Sequence, residues 1–286
     1  MSMSDQGNAA AAGTIDVGGD LTVNRLGFGA MRITGQGVWG DPPDRAQAIA
    51  TLRRAVELGV NFIDTADSYG PDVSESLIAE ALHPYADDLV IATKGGYARS
   101  GPNKWTPDGR PEHLRSVCEG SLRRLRVDQI PLYQFHVPDP KVPYAESVGA
   151  IAELQKEGKI RHVGVSNVSP EQLREAQGIV NVVSVQNRFN VTDRSAQAVL
   201  DICEQESMVF LPWAPIQQAG KNVGVLNAAK RLGASEYQVV LAWMLSFSHV
   251  MLPIPGTGSP DHAAENIAAA SLELTGDEER AIRDGG

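Results

Sequence analysis

Residues 57–70 read Glu57-Leu58-Gly59-Val60-Asn61-Phe62-Ile63-Asp64-Thr65-Ala66-Asp67-Ser68-Tyr69-Gly70. An amphipathic run from Arg45 to Leu58 meets a glycine where a helix should stop, and a short apolar strand follows at once and closes on an acid. The unit recurs. Candidate strands are Leu26 to Ala30, Val60 to Asp64, Leu89 to Lys94, Ile130 to His136, Ile160 to Ser166, Val182 to Gln186, Met208 to Trp213 and Val250 to Ile254. Between them lie runs with apolar residues near helical spacing, among them Pro111 to Leu125, Tyr144 to Glu157, Arg194 to Glu204 and Tyr237 to Phe247. Ser169-Pro170-Glu171-Gln172 adds a helix cap, an initial proline and a first-turn carboxylate. Eight strand-helix repeats predict an α/β domain of the (β/α)8 TIM barrel type. Ahead of it, Thr14-Ile15-Asp16-Val17 and Asp20-Leu21-Thr22-Val23 flank Gly18-Gly19 and read as an N-terminal β-hairpin. Residues 1–13 are small and polar and are expected to be flexible, which leaves 14–286 as a single barrel domain. A doubly wound alternative would need the dinucleotide glycine pattern, which Gly27-Phe28-Gly29 does not complete.

The chain has 286 residues, 42% hydrophobic and 21% charged, enough to bury a large core. A formal net charge of -10 argues against a nucleic-acid or anionic-membrane surface. Cys118 and Cys203 are far apart and suggest neither a disulfide framework nor a metal site, so no metal is expected. No secretion signal or membrane-spanning run is evident, and a reducing cytoplasm is the expected compartment.

The chemistry gathers at strand ends. Asp64, Lys94 and His136 each close a candidate strand, and Tyr69 sits five residues past Asp64. If the strands are parallel neighbours, an acid, an ammonium, an imidazole and a phenol meet at one rim, where parallel barrels place their active sites. A free phenol has a pKa of about 10. An adjacent Lys94 ammonium would lower it, Asp64 would hold that ammonium in place, and His136 could hydrogen-bond a substrate oxygen. Taken singly, each residue has a structural reading as a cap, an ion-pair partner, a packing ring or a satisfied polar group. Together they fit oxygen protonation during carbonyl reduction.

Four segments carry a family resemblance: Phe62 to Gly70, Ile91-Ala92-Thr93-Lys94-Gly95-Gly96, Gly164-Val165-Ser166-Asn167 and Ile254-Pro255-Gly256-Thr257. With these motifs in family order from about Leu21 onward, the chain resembles an aldo-keto reductase, most closely a bacterial subgroup that includes pyridoxal reductase-like members. The resemblance implies a nicotinamide cofactor bound without a Rossmann domain, and Tyr69 as acid. It implies that Ser166, Asn167 and Gln186 meet the carboxamide and that the nicotinamide stacks on Trp213. It further implies that Ala214, Pro215, Ile216 and Gln217 line the pyrophosphate, and that Gly256, Thr257, Ser259 and His262 surround the ribose phosphate at a helix N-terminus. Glu265 and Asn266 match the adenine-contacting pair. The best-known members grip the 2'-phosphate with a lysine and an arginine, whereas Gly256 and His262 stand at those positions here. NADP(H) is therefore the expected cofactor, with NAD(H) use left open, and Arg231 is one basic residue outside the motif that could compensate.

Loops after the strands supply candidate pocket walls: Met31 and Trp39 after the first, and Trp105 within the 97–105 segment after the third. Arg99, Lys104 and Arg32 read as solvated loop cations. The short C-terminal helix, Thr275 to Arg283, suggests an open site for a small-molecule carbonyl substrate on a monomer or weak homo-oligomer. Two other readings remain at this stage: a nucleotide-binding sensor with little catalysis, and a barrel lyase using Lys94 as a Schiff base, which would need that amine unpaired. Pyridoxal-specific reduction is a narrower version of the leading reading.

Overall fold

A computed structural model of the protein describes residues 7–285. Its strands are β1 (Thr14–Val17), β2 (Leu21–Asn24), β3 (Phe28–Gly29), β4 (Phe62–Asp64), β5 (Val90–Gly95), β6 (Tyr97–Gly101), β7 (Lys104–Pro107), β8 (Ile130–Phe135), β9 (Ile160–Ser166), β10 (Val182–Gln186) and β11 (Val209–Phe210). The helices are α1 (Arg45–Glu57), α2 (Val73–Leu82), α3 (Pro111–Leu125), α4 (Tyr144–Lys156), α5 (Pro170–Gln177), α6 (Gln197–Glu206), α7 (Val223–Leu232), α8 (Glu236–Phe247), α9 (Pro260–Ala268) and α10 (Gly276–Asp284). Seven strands form one sheet in the order β11-β10-β9-β8-β5-β4-β3, all paired in parallel. Residues 250–255 close the ring. On one side Phe210 N donates to Val250 O and Leu252 N to Phe210 O, both at 2.9 Å; on the other, Gly27 N donates to Pro253 O at 2.9 Å and Gly29 N to Pro255 O at 3.1 Å. This is the eighth position of a (β/α)8 barrel. It is not a regular strand because Pro253 and Pro255 have no N–H to return to β3.

Alternation decides what points inward. Phe62, Val90, Ala92 and Leu132 pack inside the ring with Val183, Val209, Leu211 and Leu252, whereas Ile63 and Ile91, and Tyr133 and Phe135, face two clusters under the helices. Asp64, Lys94, Gln134 and His136 have the inward parity, displaced to the C-terminal ends of their strands. The hairpin β1–β2 covers the opposite end, and its Val17 and Val23 are buried in the interior cluster. Each such valine contributes roughly 1.5–3 kcal/mol.

Two expectations are corrected. Of the 1–13 segment, residues 1–6 lie outside the described residues, but Ala9–Ala12 form a 3-10 turn capped by Asn8. That turn is tied down because Ala9 is buried and its N donates to Leu58 O at 2.8 Å. The 97–105 segment is not a loop but an antiparallel hairpin, β6–β7, standing on the C-terminal rim.

Candidate active site

The centre of the rim is a buried ion pair. Lys94 Nζ lies 2.6 Å from Asp64 Oδ2 and donates to Thr65 O at 2.8 Å, and Lys94 has no exposed surface. The other carboxylate oxygen, Oδ1, accepts from Gln186 Nε2 at 2.8 Å and Gln134 Nε2 at 3.1 Å. Desolvating two charges is costly, and these extra bonds are what make such a pair tolerable. Lys94 is therefore not the free amine that a Schiff-base enzyme would need.

Tyr69 lies over this pair in the turn after β4, with Lys94 Nζ 5.3 Å from its ring centroid. His136 is edge-on to it, ring centroids 5.9 Å apart. The three strand-end residues and Tyr69 are thus together, but the protonation of Tyr69 differs from the expectation. Burial, with the Asp64 carboxylate adding to it, holds the Tyr69 hydroxyl well above the usual phenol range. The expected lowering by Lys94 is not found because burial outweighs it, and the Asp64 carboxylate raises the phenol further while partly balancing the ammonium. Burial also lowers Lys94 itself, against the opposing pull of Asp64. His136 is held well below an ordinary histidine by burial, with Lys94 and Arg99 adding to the effect, so the imidazole is neutral. Its buried Nδ1 has no hydrogen-bond partner.

Beneath the rim lies a second polar cluster that the sequence reading passed over. Glu75 is fully buried and receives Thr93 Oγ1 on Oε1 and Arg124 Nε on Oε2, while Arg124 also reaches Asp72 at 3.0 Å. Asp67 is buried beside it with Oδ1 unpartnered, and burial together with Glu75 raises its carboxyl well above the usual range. Gln134 was missed too, although its parity with His136, one residue past β8, would have revealed it.

The residues assigned to a carboxamide are already linked to one another. Ser166 Oγ donates to Gln186 O at 2.7 Å, and Asn167 Nδ2 donates to His136 O at 3.0 Å and to Ser166 Oγ at 3.1 Å. Trp213 Nε1 donates to Asn167 Oδ1 at 3.0 Å, and the Arg188 guanidinium lies 5.6 Å from the Trp213 ring centroid. Gln186 differs from expectation, since one donor of its amide nitrogen is committed to Asp64, which leaves its oxygen and the second N–H for a ligand. Ala214 has a left-handed φ of 53°, which turns the chain sharply into Pro215, Ile216 and Gln217.

At the other end of the cleft, Ser259 caps α9 by accepting His262 N at 3.4 Å, Pro260 opens the helix, and Thr257 Oγ1 accepts from Ser259 N at 3.1 Å. His262 is exposed, Glu265 half-buried and Asn266 buried. Gly256 is there for space: a Cβ would lie 2.4 Å from Gly29 O. A lysine cannot stand at this position without moving the barrel seam. Arg231 does not replace it, being held by Glu278 of α10. Hydroxyls, a helix N-terminus and its dipole form a donor set that fits a phosphate. Among the described residues no group of acids, histidines and cysteines could hold a metal ion.

The wall facing Tyr69 is aromatic. Trp105 on β7 is edge-on to Tyr69 at 6.2 Å and to Tyr97 at 5.3 Å, and Tyr97 is edge-on to His136 at 4.7 Å. Trp39 lies further out, and Met31 is half-buried in the 3-10 turn after β3. Arg99 is not the solvated charge expected of it, for its guanidinium carbon lies 3.5 Å from the Trp105 ring centroid.

Comparison with known proteins agrees with this fold. The profile of the Aldo/keto reductase family matches residues 25–224 and 224–284, and the chain belongs to that family. It is 51% identical over 271 residues to an uncharacterized oxidoreductase of Schizosaccharomyces pombe, covering 94% of this chain and 88% of that protein. It is 41% identical over 265 residues to pyridoxine 4-dehydrogenase of Escherichia coli, covering 90% and 93% of the two. The crystal structure of an aldo/keto reductase from Klebsiella pneumoniae in complex with NADP and acetate superposes with a TM-score of 0.80 at 27% identity, over 94% of this chain and 93% of that one. The chain is an oxidoreductase of the carbonyl-alcohol class that this family defines.

Proposed function

We propose that the protein interconverts a carbonyl compound and its alcohol with NADP(H), Tyr69 serving as the acid that protonates the carbonyl oxygen in reduction. The observation that carries this reading is the meeting of Tyr69, His136 and the buried Lys94–Asp64 pair at one rim, opposite an aromatic wall. A bound nicotinamide supplies the hydride. Thr257, Ser259 and the start of α9 would hold its ribose phosphate with His262 alongside, and Glu265 and Asn266 would meet the adenine. Ala214, Pro215, Ile216 and Gln217 would line the pyrophosphate, and Trp213 with Ser166, Asn167 and the Gln186 amide would fix the ring.

The chain's own residues then act on the carbonyl. The proton rests on Tyr69 Oη because burial, with Asp64 adding to it, disfavours phenolate. An oxygen gaining negative charge in front of Oη draws that proton, and Lys94, 5.3 Å from the ring centroid and only partly balanced by Asp64, eases the charge left behind. Neutral His136 can donate to the same oxygen without bringing a competing positive charge. Trp105 and Tyr97 favour a flat, partly aromatic substrate, and the likeness to pyridoxine 4-dehydrogenase makes pyridoxal the first such compound to try.

The test is oxidation of NADPH and, separately, NADH followed by absorbance with a panel of aldehydes including pyridoxal and a nitrobenzaldehyde. Turnover that disappears in Tyr69→Phe while NADPH binding persists is the expected result. Nucleotide binding without turnover on any carbonyl would favour the sensor reading, and an active Tyr69→Phe would remove Tyr69 from the acid role.

A further inference from the structure

Arg99 makes a set of bonds that is unusual for a residue on a rim hairpin. A guanidinium has five N–H donors in a rigid fork. Here Nε donates to Lys104 O at 3.0 Å, Nη1 to Ser68 O at 2.7 Å, and Nη2 to Gly37 O at 3.1 Å and Gly101 O at 3.3 Å. All four acceptors are backbone carbonyls, and they come from three different rim segments. Ser68 immediately precedes Tyr69, Gly37 lies in the loop that carries Trp39, and Gly101 and Lys104 flank the turn of the β6–β7 hairpin that carries Trp105. The same guanidinium stacks at 3.5 Å on Trp105 and lies 5.8 Å from Trp39.

We propose that Arg99 is a positioning residue, which pins the Tyr69 turn, the Trp39 loop and the Trp105 hairpin into one wall and so sets the angle at which a carbonyl meets Tyr69. The inference rests on the carbonyl-reductase reading above and deepens it. Lysine keeps the charge but has neither the planar fork nor the stacking face, so it cannot bridge three carbonyls at once. Misplacing a reacting pair by about an ångström costs roughly a hundredfold in rate. The expected defect is therefore in the chemical step, with cofactor binding spared because the Thr257–Ser259 end of the cleft makes none of these bonds.

The experiment compares the full-length protein with Arg99→Lys and Arg99→Met, using NADPH and its 4-deuterated form with an aromatic aldehyde. Both variants are expected to bind NADPH within about twofold of wild type and to lose roughly a hundredfold in kcat/KM. The deuterium isotope effect on kcat should grow as hydride transfer becomes limiting, and lysine should not restore the rate. Wild-type kinetics in Arg99→Lys would overturn the inference. So would a loss of kcat with unchanged KM and isotope effect, which would report fewer folded molecules. If wild type reduces no carbonyl, the reductase reading fails by itself, and amide exchange decides the pinning: faster exchange across Tyr97–Pro107 in Arg99→Met supports it, and unchanged exchange overturns it.

Discussion

Asp64→Asn removes one charge from the centre of the barrel rim and leaves the shape intact. The carboxylate has three donors on it, Lys94, Gln134 and Gln186, and Lys94 has no exposed surface. Removing one member of a buried pair costs about 3–5 kcal/mol. The asparagine oxygen keeps one hydrogen bond to the ammonium, so the lower end, about 3 kcal/mol, is expected. At roughly 2 °C per kcal/mol for a chain of this length, the Tm should fall by roughly 6 °C near neutral pH. The pH dependence gives the sharper test. Lys94 is already held below the ordinary lysine value of 10.5 by burial, with Asp64 opposing. Without the carboxylate its folded-state pKa falls further, while the unfolded chain titrates at the ordinary value. Between those values the unfolded state binds more protons, so the variant gains stability as pH rises. With the wild-type carboxylate ionised, the deficit is thus full below the variant's folded Lys94 value and closes as pH climbs from there to the wild-type folded value. Thermal melts of both proteins across that range measure it. A constant Tm difference would show that the charge on Lys94 is not what Asp64 stabilises.

Three further outcomes follow from the geometry. Gly256→Lys should not tighten NADPH: its Cβ meets Gly29 O, and overpacking of this kind costs about 1–3 kcal/mol, readable as a lower Tm with unchanged or weaker nucleotide binding by titration. His262→Arg, at an exposed position on the first turn of α9, should shift the NADPH to NADH preference by up to about fivefold, the value of an exposed ion pair, and an unchanged ratio of kcat/KM would place His262 away from the 2'-phosphate. Arg124→Met strips the ion-pair partner from fully buried Glu75 and should destabilise by about 3–5 kcal/mol, whereas a denaturant midpoint equal to wild type would mean that the pair adds nothing to stability.

Strand parity was legible because it is a local property. Once Phe62, Val90 and Leu132 are assigned inward, Asp64, Lys94 and His136 must follow, and Gln134 with them. What escaped depended on contacts between distant segments. Gln186 reads as a free amide until Asp64, 122 residues away, takes its nitrogen. Arg99 reads as a solvated charge because its partners are carbonyls, which leave no mark in side-chain identity. The β6–β7 hairpin shows no period-two apolar pattern, since residues on both its faces are partly exposed. The Tyr69 shift was misjudged for the same reason: proximity of Lys94 was inferred correctly, but its neutralisation by Asp64 and the desolvation of the whole cluster are properties of the packed barrel.

The ring of strands has a clasp. Where the 250–255 segment meets β3, backbone bonding runs in one direction only, from Gly27 and Gly29 to the carbonyls of two prolines. The joins of the sheet from β3 to β11 are parallel ladders, and the join of β11 to this segment is a parallel bridge bonded in both directions at Phe210, so thermal openings should begin at the clasp. The Thr257–Ser259 turn continues from one side of the clasp and the Met31 turn from the other, and a nucleotide lying across both would act as its pin. Cofactor loading would then slow amide exchange at Gly27 and Gly29 well beyond the residues it touches, and the fastener of the barrel would also gauge whether the enzyme is charged.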